Sequence, residues 1–396
     1  MVALFLIVLV DLIGFGIIIP LLPFYAEHFQ AQPATVGLLM ATYSLAQFIA
    51  APFWGRLSDR VGRRPVLLAS LAGATLAYGA LAFADTLLML FLVRAFGGLM
   101  AGNISAAFAY AADVTTKENR AKGMGLVGAA FGIGFILGPA IGGILAGPDP
   151  LNADYQSPAL AAAGLSLLAL VLGLVRLPES LSPEIRARNA ALPRKARLSQ
   201  LLEALRLPGV GLLIGLGFLA TFVFAGLETT FAMWSRREYG WGPEQNGWIF
   251  AYVGLMSAAI QGGLIGRLAR RFGERGLLRQ GALALAVGIG GIPLTQEIWQ
   301  LLVVLAIAAY GFSVLNPAFN SLISQRVPDT DQGGVMGVTR SATTLARVAG
   351  PAWAGMLFAV LGRDWPYYSG AVVMVLVLVL GIVALRESPA SASDPT

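Results

Sequence analysis

The sequence predicts an all-α membrane protein with twelve transmembrane helices in two six-helix, pseudo-symmetric halves. Three observations predict it: the composition, the number of membrane-length apolar runs, and a repeat spaced by about half the chain. Of 396 residues, 57% are apolar and 12% charged, where soluble domains carry about 25% charged residues. Too little polar surface remains to coat a water-soluble globule, and disordered chains are poor in apolar residues. A spanning helix needs about 20 apolar residues, so twelve fit with room for loops. A membrane β-barrel would show short alternating segments, whereas runs such as 371–384 are long and unbroken.

Taken in order, the expected spans are 2–25, 34–54, 65–84, 86–112, 120–146, 157–177, 208–234, 243–266, 275–293, 297–322, 332–361 and 365–386. The first lacks a basic leader and a small-residue cleavage site, so it reads as a retained helix rather than a signal peptide. The longest polar stretch, 178–207, divides the spans six and six. The expected domains are therefore 1–177, a cytoplasmic linker 178–207, a second half 208–386 and a tail 387–396. With both termini cytoplasmic, 21 of 27 Lys and Arg residues fall on the cytoplasmic side and three outside. That asymmetry is the positive-inside pattern, with a bacterial inner membrane as the expected location. The net charge of +6 is thereby explained without a nucleic-acid partner. The chain has no cysteine and one histidine, His28, and no cofactor or metal site is expected. HExxH, GxSxG and P-loop patterns are missing, which argues against an intramembrane enzyme.

The repeat appears in short motifs. The segment from Gly55 to Arg64, GRLSDRVGRR, recurs from Gly266 to Arg275 at an offset of 211, and Gly138-Pro139 recurs as Gly350-Pro351 at 212. Two six-helix halves with a site between them near the midplane form a transporter architecture. In the first motif Gly55 and Gly62 permit a tight turn. Asp59, Arg60, Arg63 and Arg64 supply charge, and Arg63 or Arg64 is expected to pair with Asp113. In the second half Arg270 replaces Asp59 and Gln325 replaces Asp113, so a second latch is expected to be weak or absent. In GFILGPAIGG, Gly134, Gly138, Gly142 and Gly143 allow close helix approach and Pro139 interrupts the backbone ladder. Gly138 is expected to lie where the two halves approach.

Ionisable groups inside a membrane are expensive and functional by default. Asp11, Arg94 and Glu228 are the candidates for proton coupling, with Glu228 as the principal carboxylate. Arg340 and Arg347 are expected to snorkel or to meet lipid phosphates. Polar and aromatic residues at helical spacing suggest a wall for a lipophilic ligand with a few hydrogen-bonding groups: Phe15, Asn103, Phe224, Phe231, Gln261, Asn316 and Asn320.

GRLSDRVGRRPVLL at 55–68 resembles the loop between helices 2 and 3 of the major facilitator superfamily. GFILGPAIGG at 134–143 is similar to the fifth-helix signature of its drug:proton antiporters. DLIGFGIIIPLLP at 11–23, FLVRAFGGLMAG at 91–102 and AYAADVT at 109–115 resemble the tetracycline-efflux branch. The resemblance implies a proton-coupled antiporter that exports a small amphipathic or lipophilic compound. Its expected partners are that compound, protons and lipid, and its expected state is a monomer. It also implies a latch in which Asp59 faces the start of the eleventh span near Gln332. Tetracycline exporters carry a histidine in helix 8 and an aspartate in helix 9. Residues 254–261 and 281–293 contain neither, which weighs against tetracycline itself. The alternatives are a metabolite symporter and, remotely, a membrane scaffold or intramembrane enzyme.

Overall fold

The computed structural model describes residues 1–116, 119–182, 184, 207, 209–328 and 331–386. The expected linker at 178–207 and the tail at 387–396 therefore lie largely outside the described residues. Every regular element among those described is helical. In chain order they are α1 Val2–Ile18, α2 Leu22–His28, α3 Pro33–Val61, α4 Arg63–Ala82, α5 Leu87–Met100, α6 Asn103–Asp113, α7 Arg120–Ala146 and α8 Gln156–Arg176. The second half supplies α9 Val210–Tyr239, α10 Pro243–Ala259, α11 Ile265–Gly291, α12 Ile298–Ser324, α13 Gln332–Val360 and α14 Trp365–Arg386.

Ten helical stretches among the described residues are long and apolar enough to cross a membrane. One of them, Pro243–Leu294, is 52 residues long, which is two crossings. It is divided at Gly273, whose φ of 64° is left-handed and suits a residue without Cβ. Its two arms taken separately, together with the 29-residue α13, which is not among those ten, are consistent with the expected twelve. Two spans are subdivided. Pro20 lies in the turn between α1 and α2, and Ala101-Gly102 separates α5 from α6.

Contacts divide the molecule into two units. The first holds the described residues of Met1–Arg194, Ala225–Ala258 and Arg347–Pro366. Its helices α1 and α7 meet through glycines: a Cβ at Gly138 would lie 2.6 Å from Gly16 Cα and 2.8 Å from the Ile13 carbonyl. Gly138 thus serves packing inside the first half, not the approach between halves that the sequence suggested. The approach to the second half falls to its neighbour Gly143, where a Cβ would lie 2.8 Å from the Pro243 carbonyl and 3.0 Å from Glu244 Cα. The repeat reappears in these contacts. Gly247 of α10 lies against Pro139 and Gly143 of α7, and Gly37 of α3 lies against Pro351 and Gly355 of α13. Each residue of the second set is 210 or 212 positions from its counterpart in the first, as a pseudo-two-fold requires.

The second unit holds the described residues of Lys195–Phe224, Ala259–Ala346 and Tyr367–Thr396. There α11 and α12 pack glycine against helix. A Cβ at Gly281 would lie 2.8 Å from Leu315 and Val314, and one at Gly288 2.7 Å from Ala308 Cα.

Candidate functional site

Asp11 is buried at the middle of α1, and both of its oxygens are engaged. Asn103 Nδ2 donates to one, and Ser166 Oγ donates to the other at 3.2 Å. The break between α5 and α6 builds this arrangement. Ser70 Oγ donates to the Met100 carbonyl and accepts from the N–H groups of Gly102 (3.1 Å) and Asn103 (3.0 Å). It thereby satisfies groups that a helix interruption leaves orphaned. Asn103 Oδ1 accepts from Ile104 N at 2.9 Å, which leaves its amide N–H free to reach Asp11. Trp54 Nε1 donates to the Leu99 carbonyl at 2.6 Å and closes the same turn from α3.

Asp11 faces a small cavity in the first half, lined also by Phe15, Tyr43, Tyr78, Arg94 and Asn103. Phe15 packs on Tyr43 and Phe135 with centroids 5.6 and 6.3 Å apart. Arg94 is 6% exposed, and its guanidinium lies 4.3 Å from the Tyr43 ring centroid. Its Nε has no hydrogen-bond partner.

The other expected acid, Glu228 of α9, accepts from Arg347 NH1 of α13 at 3.3 Å. The snorkelling expected of Arg347 is replaced by this pair. Of the expected wall, Phe15 and Asn103 share the cavity with Asp11. Phe231 is buried in the first unit against Trp234 and Phe250, away from that cavity's lining. Phe224, Gln261, Asn316 and Asn320 belong to the second unit, where Phe224 stacks on Phe312 at 3.7 Å. Gln261 lies in a π-helical turn, Ile260–Leu264, at the end of α10.

In the 55–64 motif Arg63, not Arg64, meets Asp113. Arg63 donates to Asp113 at 3.0 Å, to Asp59 at 2.7 Å and to Ser58 at 3.0 Å. Arg64 donates to the Leu174 carbonyl at 2.8 Å, and Arg60 is exposed. Gly62, with φ 120°, turns the chain from α3 into α4. Gly55 has open space around it, so packing gives no reason for a glycine there. Glu179 is the member that sequence reasoning passed over. It accepts from Arg63 N (2.9 Å), Arg64 N (3.2 Å) and Leu181 N (3.0 Å), capping the start of α4. In the second half Gln325 Nε2 donates to Ser321 Oγ, which donates to the Glu274 carboxylate, a relay through a hydroxyl in place of the ion pair.

At the opposite end of the first unit lies a cluster with no counterpart among the expected residues. Glu27, its side chain 8% exposed, pairs with both Arg236 and Arg237 at 2.9 Å. Arg237 also lies over the Phe358 ring at 4.9 Å, and Trp234 Nε1 donates to Asp364 at 2.8 Å. His28 packs edge-on to Tyr155, 5.7 Å between centroids. A charged residue next to a loop reads as solvated, and nothing local distinguishes Glu27 from such a residue.

The family model of the major facilitator superfamily matches residues 4–298 and 216–396. The class C tetracycline resistance protein of Escherichia coli is 32% identical, the match covering 98% of this chain and 97% of that one. Multidrug resistance protein 2 of Bacillus subtilis is 29% identical over 95% and 92%. Among solved structures, the human organic anion transporter MFSD10 (TETRAN) superposes with a TM-score of 0.73 at 27% identity, covering 96% of this chain and 98% of its own. On this fold, these motifs and these matches, the chain is a member of the major facilitator superfamily.

Proposed function

We propose that this transporter is a proton-coupled antiporter exporting a small amphipathic or lipophilic organic compound by alternating access. The observation that carries the reading is a pair of membrane-embedded acids, one in the first helix of each half. Each is held by partners that a proton would release: Asn103 and Ser166 at Asp11, and Arg347 at Glu228. Protonating Glu228 removes the negative charge that holds Arg347 and frees α9 and α13 to change their relation. Arg94 joins Asp11 in its cavity, and the resistance proteins among the relatives support export as the direction. Termini are cytoplasmic on the basic-residue asymmetry, and the membrane is a bacterial inner one. Phe15 and Asn103 are the proposed substrate contacts of the first unit and Phe224, Gln261, Asn316 and Asn320 those of the second, each taken within its own unit, and Asp59, Arg63 and Asp113 form the core of the cytoplasmic latch.

Purified protein in liposomes under an imposed pH gradient tests the reading. The expected result is substrate-dependent proton flux. Glu228→Gln mimics the protonated acid, so it should keep substrate binding within a few-fold, lose pH dependence and abolish gradient-driven export. Asp11→Asn should slow export but leave some pH dependence. Normal uphill export by Glu228→Gln, with all pH dependence lost in Asp11→Asn, would exchange the two roles. Inward co-movement of proton and substrate would make the protein a symporter.

A further inference from the structure

The arginines of the second-half loop lack the acids that answer them in the first half. Arg267, Arg270, Arg271, Arg275 and Arg279 fall within thirteen residues, and all are exposed. In the first half Arg63 is held by Asp59 and Asp113, but Arg270 and Gln325 stand at the matching positions. The loop's own acid, Glu274, accepts from Ser321. Among the described residues no carboxylate lies within ion-pair distance of these five or of Arg326. Positive-inside topology explains the sign of this charge, but not why two like charges are held side by side. Arg326 follows the end of α12 and reaches the start of α9, where its NH1 donates to the Gly209 carbonyl at 3.4 Å. A Cβ at Gly209 would lie 2.7 Å from that nitrogen, and the Gly209 φ of 72° is left-handed, so a glycine makes the seat for this guanidinium. Burial, and then the charge of Arg275 beside it, hold the Arg326 guanidinium below its ordinary value. Arg279 is one helical turn beyond Arg275 and shares its face. All of these second-half residues belong to the second unit. Like charges repel, and an anion between them replaces that repulsion with two attractive contacts.

We propose that Arg275 and Arg326, with Arg279 beside them, form a headgroup site for an anionic phospholipid of the cytoplasmic leaflet, of the phosphatidylglycerol kind. The two unesterified phosphate oxygens accept from both guanidiniums, whose planar forks suit phosphate. Basic clusters at the cytoplasmic ends of membrane helices recognise such headgroups. Apolar surface beside the charges favours a lipid over a free ion. Phe272 is 43% exposed and Leu264 44%, and the Arg271 guanidinium lies 5.3 Å from the Phe272 ring centroid. Acyl chains cover such surface while the guanidiniums stay at the headgroup level. The proposal takes from the export reading only the side of the membrane.

Native mass spectrometry of the purified protein titrated with dioleoylphosphatidylglycerol or dioleoylphosphatidylcholine tests it. The two lipids share their chains and differ in headgroup charge. Each arginine near an anionic headgroup contributes about fivefold in affinity, so the unmodified protein should bind its first phosphatidylglycerol about tenfold or more tighter than phosphatidylcholine. Arg275→Gln should lower that affinity about fivefold, and Arg275→Gln with Arg326→Gln by about tenfold or more. Arg275→Glu, which gives Arg326 a carboxylate of its own, should bring the two lipids within about twofold of each other. Arg267→Gln with Arg270→Gln removes the same charge from the same loop but not from the site, and should cost under about threefold. Equal affinities for the two lipids, equal losses in the two double variants, or unchanged selectivity in Arg275→Glu would overturn the site. Displacement of bound lipid by millimolar inorganic phosphate would assign it to a free ion and remove the lipid. Arg275 is exposed, so its single variants decide even if Arg326→Gln misfolds. The measurement reads no transport. Headgroup selectivity in a protein that moves no protons would leave this site standing and sink antiport, and antiport without selectivity would do the reverse.

Discussion

Arg63 does in one side chain what the motif spreads over four charges. It is nearly buried, with 10% of its side chain exposed, and it joins Asp59 and Asp113. Removing it leaves two carboxylates, each about a quarter exposed, without their cation. Hydrogen bonds to charged groups contribute about 1.5–3 kcal/mol, so Arg63→Gln should lower stability by roughly that much in a thermal or denaturant melt of the purified protein. It should also lower transport rate while leaving equilibrium substrate binding within a few-fold, because the cavity lies elsewhere in the half. Arg64→Ala loses one bond to a carbonyl and should cost under about 1 kcal/mol. Equal costs would return the latch to Arg64. A second residue carries a pH effect. Asp154 precedes α8, outside the span, and accepts from the Ser157 hydroxyl and from the N–H groups of Gln156 (2.9 Å) and Ser157 (3.0 Å). Chiefly through Ser157, these bonds hold its carboxyl below the usual carboxylate range. A depressed acid adds stability that is full above its unfolded pKa and is lost as pH falls through the folded one. Asp154→Ala should therefore cost about 1 kcal/mol at neutral pH, as for a lost N-cap, and the two proteins should converge at low pH. A constant difference from pH 7 down to 3 would contradict this. Both residues show the limit of reading sequence at this scale. The motif announces that Arg63 and Arg64 are charged beside a turn. Which one faces Asp113 depends on how Gly62 aims α4.

Whole helices were more legible, because membrane-length hydropathy is a local property. The expected span at 120–146 and the observed α7 share their bounds, and 365–386 likewise matches α14. The misses occur where the chain interrupts itself. The single span expected at 86–112 is two helices, and Gly102-Asn103 was the available signal: a residue free of Cβ followed by one whose side chain caps backbone groups. Partners across helices were illegible for another reason. Arg347 meets Glu228 across 119 positions, and no local pattern encodes that distance. The glycines of α7 illustrate both points, since their spacing announces close packing but not with which helix. Gly138 faces α1 and Gly143 faces α10, which separates their expected failures. Gly138→Leu should wreck the α1–α7 seam within one half, where overpacking by a single added group already costs about 1–3 kcal/mol. The expected outcome is a large fall in monodisperse protein after size exclusion. Gly143→Leu should leave that yield nearly unchanged and reduce transport, since its side chain pushes on α10 instead. Full yield with lost transport in Gly138→Leu would mean that the first half tolerates the overpacking.

At the scale of the molecule, alternating access requires that one end of the bundle be closed while the other is free to open, and that the closed end be able to release. In this structure the end opposite the 55–64 loop is held within the first unit by α7 against α10, α3 against α13, and Glu27 against Arg236 and Arg237. The glycine contacts depend on shape and are the same in kind on both sides of the pseudo-two-fold. The Glu27 clasp instead joins α2 to α9 by charge, beside a second ion pair between Glu238 and Arg363. Glu27 is the most buried member, at 8% exposure, while its arginine partners keep 28% and 38% and stay partly hydrated without it. Glu27→Gln therefore removes attraction without stranding a buried cation, and a loss of about 1–3 kcal/mol is reasonable for a partly exposed charged pair. A change of 1.4 kcal/mol is tenfold in an equilibrium, and complete inversion from 1:99 to 99:1 needs about 5.5 kcal/mol. The expected result is thus a mixed population, not a fully opened protein. Nitroxide labels at cysteines replacing the exposed Asn152 and Leu361 report it, and no native cysteine interferes. Electron–electron distance measurement should give one short distance in the parent and a second, longer one in Glu27→Gln, growing from under about 10% to a substantial fraction. Arg236→Ala should act in the same direction but less, since Arg237 still holds Glu27. An unchanged distribution in Glu27→Gln would mean that the glycine seams and the Glu238–Arg363 pair keep this end shut without it, and that the clasp follows closure instead of stabilising it.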